Sequence, residues 1–276
     1  MAWVLVITLG FAAVEVAGGL LSGALVLLAD AAHMLTDAAA VGLSLFAAWI
    51  ARRPATLNKT YGYYRLEILA ALVNGALLIV LTVAIVLEAI QRLESPEAIR
   101  PGILLGVATA GLLANLAGVA ILHRARGESL NIRGAYLHVL SDLLGSVAAI
   151  GAGIIVALTG WLPADPLLSI ALALLILVSA ARLVWEAVDV LLEATPAHVD
   201  LAALAEAIAA VPGVTGVHDL HVWTVSSGMV AMSAHAAVSE GVAHQQVLSE
   251  VVRRVRAFGI QHVTVQVERE CLIGDE

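Results

Sequence analysis

His33-x-x-x-Asp37 and His138-x-x-x-Asp142 repeat one spacing at two distant places, each inside a run apolar enough to cross a membrane. A step of four residues is about one helical turn, so each histidine stacks over its aspartate on one helix face. Turned toward each other, two such faces present two imidazoles and two carboxylates around one point. Imidazole nitrogen and carboxylate oxygen bind Zn2+ at about 2.0–2.2 Å in a tetrahedron. With both aspartates ionised and both histidines neutral, the four ligands cancel the charge of a dication. Histidine titrates near neutrality, so protons and metal compete for such a site. A site that trades a dication for protons is what an antiporter needs. The bland alternative is a helix-packing ion pair within each couple, but it leaves the matched spacing in two separate spans unexplained.

The elements that must position these residues are membrane helices. The chain has 276 residues, is 61% hydrophobic and only 13% charged, against about 25% charged in ordinary soluble domains. Its mean hydropathy is +0.97. The apolar residues come in blocks of about 20, the length that crosses roughly 30 Å of hydrocarbon. Six spans are predicted, at 3–22, 28–50, 66–90, 102–122, 134–158 and 164–186. The first run lacks a basic leader and carries Glu15, so it reads as a true span and not a cleaved signal. Arg52, Arg53, Lys59 and Arg65 follow span two, and Arg124, Arg126 and Arg133 follow span four. The basic side faces the cytoplasm, which places both termini there. Cys271 is the only cysteine, so no intrachain disulfide forms. No basic cluster suggests nucleic acid.

A charged side chain at the bilayer centre costs at least about 2.5–3.5 kcal/mol, so each needs a reason to be there. Asp30 shares the stripe of His33 and Asp37, three residues before the histidine. Small residues near both couples, such as Ala31, Ala32, Gly145 and Ser146, permit close helix approach. Glu15, Glu67, Asn74 and Asn115 line a water-filled path or pair across helices, with packing favoured for the two asparagines. Asp165, before Pro166, reads as a cap at the start of span six.

From about Pro196 the character changes. Residues 200–210 have helical spacing, 217–226 and 229–238 read as strands around a Ser227-Gly228 turn, 242–258 as a helix, and Val263, Val265 and Val267 as alternate positions of a strand. The expected order is αββαβ, a small cytoplasmic α+β domain of ferredoxin-like type. The boundaries are 1–192 for the six-helix transmembrane bundle and 193–276 for the cytoplasmic domain. Strict alternation sets His262, Thr264, Gln266 and Glu268 on one face of the last strand. On the first strand it puts His218 with Leu220 and Val222, and His221 with Asp219 and Trp223.

The stretch Leu28 to Asp37, the run Arg65 to Gly75, and Tyr61-Gly62-Tyr63 resemble the cation diffusion facilitator family over essentially the whole chain. Tyr136 to Asp142, Val217 to Trp223 and Val263 to Glu268 add to the resemblance. The resemblance implies six transmembrane helices, a ferredoxin-like cytoplasmic domain, a homodimer, and metal-for-proton exchange that exports the metal; the expected location is the inner membrane of the cell. It carries the transport site onto His33, Asp37, His138 and Asp142, a set similar to that of the zinc-transporting branch, which often also moves Cd2+ or Co2+. It implies a regulatory metal site at His218, His235 and Glu268, with His262 nearby. Zinc is then expected as substrate and as regulatory ligand, and no cofactor is expected. The Arg124–Arg133 link has no histidines and the Pro54–Tyr64 link neither His nor Asp, so neither is expected to hold metal. Two rival functions are weighed. An intramembrane metalloenzyme would want an open coordination position, and no His-Glu-x-x-His occurs. A proton-coupled carrier of organic cations would explain Asp37 but not two histidines at matched spacing.

Overall fold

The computed structural model describes residues 2–50, 56–125, 130–226 and 228–269; within the helices, the side chains of 37 and 130–141 are among those outside the description. The chain divides into two units, residues 1–46 with 71–184, and residues 47–70 with 185–276.

Six helices, α1 (Ala2–Ser22), α2 (Leu25–Ile50), α3 (Arg65–Glu94), α4 (Pro101–Ala125), α5 (Leu130–Thr159) and α6 (Ala164–Leu191), make up the first unit, apart from the end of α2, the start of α3 and the end of α6, which fall in the second. These match the predicted spans to within a few residues at most ends. Among the described residues, Arg65–Glu94, Asp142–Thr159 and Ala164–Leu191 are long and apolar enough to cross a membrane. Thr8–Ser22, Leu25–Thr36 and Pro101–Ala117 are shorter apolar stretches.

Helix α2 lies between two packed clusters. One side of it contributes Val26 and Leu27, against Leu104 and Ala108 of α4 and Ala149 and Ala152 of α5. Another contributes Leu25, Ala29 and Ala32, against Ile85 and Ala89 of α3 and Ala173 of α6. Alanine dominates both clusters, as expected where lipid offers no hydrophobic drive and close backbone approach must supply the attraction.

The start of α2 is held from a distance. The Leu25 and Val26 amides donate to Asp165 Oδ2 and Oδ1, at 2.8 and 3.1 Å. Asp165 is wholly buried. Its carboxylate therefore caps α2, where the local sequence suggests a cap on its own helix. A helix N-terminus leaves unpaired amides and a partial positive charge, and a carboxylate answers both. Arg92 of α3 reinforces this end, donating to the Gly23 carbonyl and pairing with Glu88 and Glu97.

In the second unit, α7 (Leu201–Ala209) is capped by Asp200, which accepts from the Ala203 amide. Strands β1 (Val214–Ser226) and β2 (Met229–Val238) form a hairpin, followed by α8 (His244–Arg256) and β3 (His262–Glu268). The αββαβ order is the one expected. The central strand β2 pairs antiparallel with β1 and parallel with β3. Leu204 and Ile208 of α7 and Val247, Val251 and Val255 of α8 pack on Val222, Val230, Met232 and Ala234. Both helices thus cover one face of the sheet. On α8, hydrogen bonds from Arg253 and then Arg254 hold the Glu250 carboxyl down to about 2. That support is present above the ordinary carboxylate range and is lost as pH falls toward the lowered value.

Removing the distant cap has a defined cost. Asp165→Ala leaves two buried amides without their acceptor, and an N-cap loss alone is about 0.5–2 kcal/mol. We expect Asp165→Ala to lower the thermal midpoint of the detergent-solubilised protein clearly, and Asp165→Asn to lower it less. Equal midpoints for Asp165→Ala and the parent would show that α2 does not depend on this carboxylate.

Candidate metal centres

Two groups of side chains are of metal-ligating type, one within each unit. The first lies where α2 meets α5. His33 Nε2 stands 3.7 Å from Asp142 Oδ1, and both side chains are mostly buried, at 19% and 12% exposure. The histidine of one couple thus meets the aspartate of the other. Three residues earlier on α2, Asp30 is buried against Gly145, three residues later on α5, where a Cβ would overlap its carboxylate. Position on α2 rises by three while position on α5 falls by three, so the helices run antiparallel here. The side chains of Asp37 and His138 lie outside the described residues; their backbones belong to α2 and α5.

The surrounding polar groups are shared between helices. A side-chain hydrogen bond joins buried Glu15 of α1 to Asp30, with Asp142 close enough for its charge to act on Glu15. Asn115 of α4 donates to Ser146 of α5 at 3.4 Å. Asn74 of α3 reaches the Thr36 carbonyl of α2 at 3.5 Å. Both asparagines therefore make cross-helix contacts.

The second group lies on the sheet face that the helices leave uncovered. His218 and His235 are register partners, with ring centroids 5.2 Å apart. His218 Nε2 is 2.9 Å from Glu268 Oε1, and His235 Nδ1 is 3.2 Å from Glu268 Oε2. Gln266 donates to the same Oε2 at 2.9 Å. One ligand atom from each of His218, His235 and Glu268 falls within 4.8 Å of the others. Donors of a tetrahedral zinc site are about 3.4 Å apart at ordinary bond lengths. Two imidazole nitrogens and a buried carboxylate are donor types that zinc takes, so the residues present fit a metal.

Strict alternation on β1 does not hold. Register shifts between His218 and His221, where His218 pairs with His235 and His221 with Ser233. A bulge inserts an extra residue and restarts the alternation. His218 therefore shares the face of His221, opposite the buried Val222. Asp219 sits in the bulge with φ of +51°. Its carboxylate meets His221 Nε2 at 2.7 Å and His235 Nε2 at 3.7 Å. Sequence reasoning passed over Asp219 as a site residue; a histidine on each side in His218-Asp219-Leu220-His221 was the available signal.

His262 is not brought to this cluster. It shares the face of Glu268 but starts β3 where Glu268 ends it, six residues away at about 3.3 Å each. Its ring instead meets Tyr61 edge-on, at a centroid distance of 5.7 Å. His198 and His244 are exposed and also lie outside the cluster.

Comparison with known proteins covers both units. Residues 1–192 match the family model described as the cation efflux transmembrane domain, and residues 196–270 that described as the cation efflux protein, cytoplasmic domain. The zinc transporter ZitB of Escherichia coli (strain K12) is 46% identical over 273 residues, covering 98% of this chain and 87% of that protein. A cadmium, cobalt and zinc/H(+)-K(+) antiporter of Bacillus subtilis (strain 168) is 40% identical over 267 residues, covering 95% and 86%. A solved structure, the metal-bound C-terminal domain of the CzcD transporter from Cupriavidus metallidurans, is 39% identical over 25% of this chain and 99% of that chain, with a TM-score of 0.25.

The fit of Asp30 against Gly145 can be tested without transport. Gly145→Ala should cost about 1–3 kcal/mol of stability through overpacking. Adding Asp30→Ala frees the space, so the double variant should be more stable than the sum of the single effects predicts, by about 1 kcal/mol. Additive thermal shifts would show that the two positions do not share that space.

Proposed function

The chain belongs to the cation efflux family, and from that premise we propose that it is a metal/proton antiporter exporting Zn2+ from the cytoplasm. The protein is a transporter and not an enzyme, and the dication is its cargo. Cd2+ and Co2+ are further substrates of the same donor set, in line with the names of the relatives. His33, Asp37, His138 and Asp142 form the transport site.

The observation that carries this reading is the approach of His33 to Asp142 across two antiparallel helices. Continuing the same register four residues along α2 and four back along α5 brings backbone positions 37 and 138 level with each other. The matched spacing of the two couples then has a geometric purpose. It stacks two His/Asp levels one helical turn apart between the same pair of helices.

The residues divide the work by their chemistry. Asp37 and Asp142 supply the charge that offsets the dication. His33 and His138 supply neutral nitrogen to the metal and take protons when it leaves. Lower pH therefore weakens metal binding, and a proton gradient directed inward drives metal outward. The chain's only direct requirement for alternating access is that this cage open to each side in turn.

The remaining features follow the same reading. Helices α1 to α6 are six spans, with both termini in the cytoplasm and the protein in the inner membrane of the cell. Residues 1–192 are the transmembrane domain, and 193–276 a ferredoxin-like cytoplasmic domain through which two copies form a homodimer. His218, His235 and Glu268 bind a regulatory metal there, linking export to the cytoplasmic metal level.

Asp142→Ala tests the assignment. In inverted vesicles with an imposed proton gradient, zinc uptake should fall to the level of empty vesicles, while expression and thermal midpoint stay near those of the parent. Parental uptake by this variant would refute the site.

A further inference from the structure

The cytoplasmic cluster has a fourth member that neither the family resemblance nor the ligand geometry alone supplies. Resting on the reading of His218, His235 and Glu268 as a metal site, we propose that Asp219 is its positioning carboxylate, fixing the ring of His235 for the metal and tying His221 to the site.

The ring of His235 meets an acidic group at each nitrogen. Nδ1 faces Glu268 Oε2 at 3.2 Å, and Nε2 faces Asp219 Oδ2 at 3.7 Å. A neutral imidazole that gives one nitrogen to a metal carries its proton on the other. Glu268 also holds His218, so the metal-facing nitrogen of His235 is Nδ1. Its Nε2–H then points at Asp219. A carboxylate behind a ligating histidine fixes its tautomer and ring orientation and raises its basicity. The 3.7 Å separation is longer than a hydrogen bond and within ion-pair distance.

The backbone explains how Asp219 reaches this position. A regular strand would send the side chain after His218 to the opposite face. The bulge at Asp219 breaks that rule, and φ of +51° is the left-handed region, which aspartate tolerates better than most residues. His221, one step past the bulge, lies on the same face, and its Nε2 meets Asp219 Oδ1 at 2.7 Å. Each carboxylate oxygen thus faces one histidine: Oδ2 the mostly buried His235, and Oδ1 the largely exposed His221. The chain His221–Asp219–His235 runs from solvent to the metal.

Asp219→Gly separates the carboxylate from the backbone, since glycine keeps the left-handed conformation without strain. The full-length protein is used in detergent, with His33→Ala and Asp142→Ala silencing the transport site, and Co2+ is titrated by its visible absorption. Loss of an outer carboxylate typically costs 10–100-fold in metal affinity. We expect that loss in Asp219→Gly, with the Co2+ spectrum at saturation and the metal-free thermal midpoint both like those of the parent. Asp219→Asn, which keeps a side-chain oxygen, should recover part of the affinity. His221→Ala should weaken binding only a few-fold. Affinity in Asp219→Gly within twofold of the parent overturns the proposal. So does a changed saturated spectrum, which would make Asp219 a ligand. A parent that binds no Co2+ overturns the metal-site reading beneath it, a result distinct from both.

Discussion

The polar contacts between α2 and α5 turn on one local fit, the Asp30 carboxylate against Gly145. Their contact places charged and ionisable groups away from water, where each needs a partner. Glycine at 145 makes room for the Asp30 carboxylate, and one turn away His33 meets Asp142. A bulkier residue at 145 would separate the helices at the level where their polar groups must meet. The alanines of both clusters around α2 act the same way, replacing side-chain volume with backbone proximity.

The two candidate metal groups answer one problem in different secondary structures. In the helical unit a spacing of four residues sets a histidine and an aspartate on one helix face, and His33 meets Asp142 across two helices. In the sheet, ladder register does the alignment: His218 lies opposite His235, and Glu268 comes from the neighbouring strand. The helices α7 and α8 cover the other face, which gives the domain its apolar core and keeps both of them off the face of His218, His235 and Glu268. The sheet can hold a site at its surface because its stability comes from behind.

The sequence made much of this legible, for definable reasons. Helices were readable because long apolar runs have few competing interpretations. The αββαβ order was readable because valine alternation, a Ser-Gly turn and amphipathic spacing are local signals. What the sequence hid was of two kinds. Strand parity on β1 failed because one inserted residue reverses every later assignment, and no local signal marked the bulge at Asp219. His262 was on the right face but at the wrong end of β3, a difference that a face assignment alone cannot express. Asp165 was legible as a cap, but its partner amides, on a helix far away in sequence, were not.

That distant cap bears on the order of assembly. The amides of Leu25 and Val26 emerge early in synthesis, whereas Asp165 follows about 140 residues later. Until then the first turn of α2 cannot have its final acceptor. The helix that carries half of the membrane cluster is therefore completed by the last helix of its unit, so native closure of this end is a late event in the protein's biogenesis.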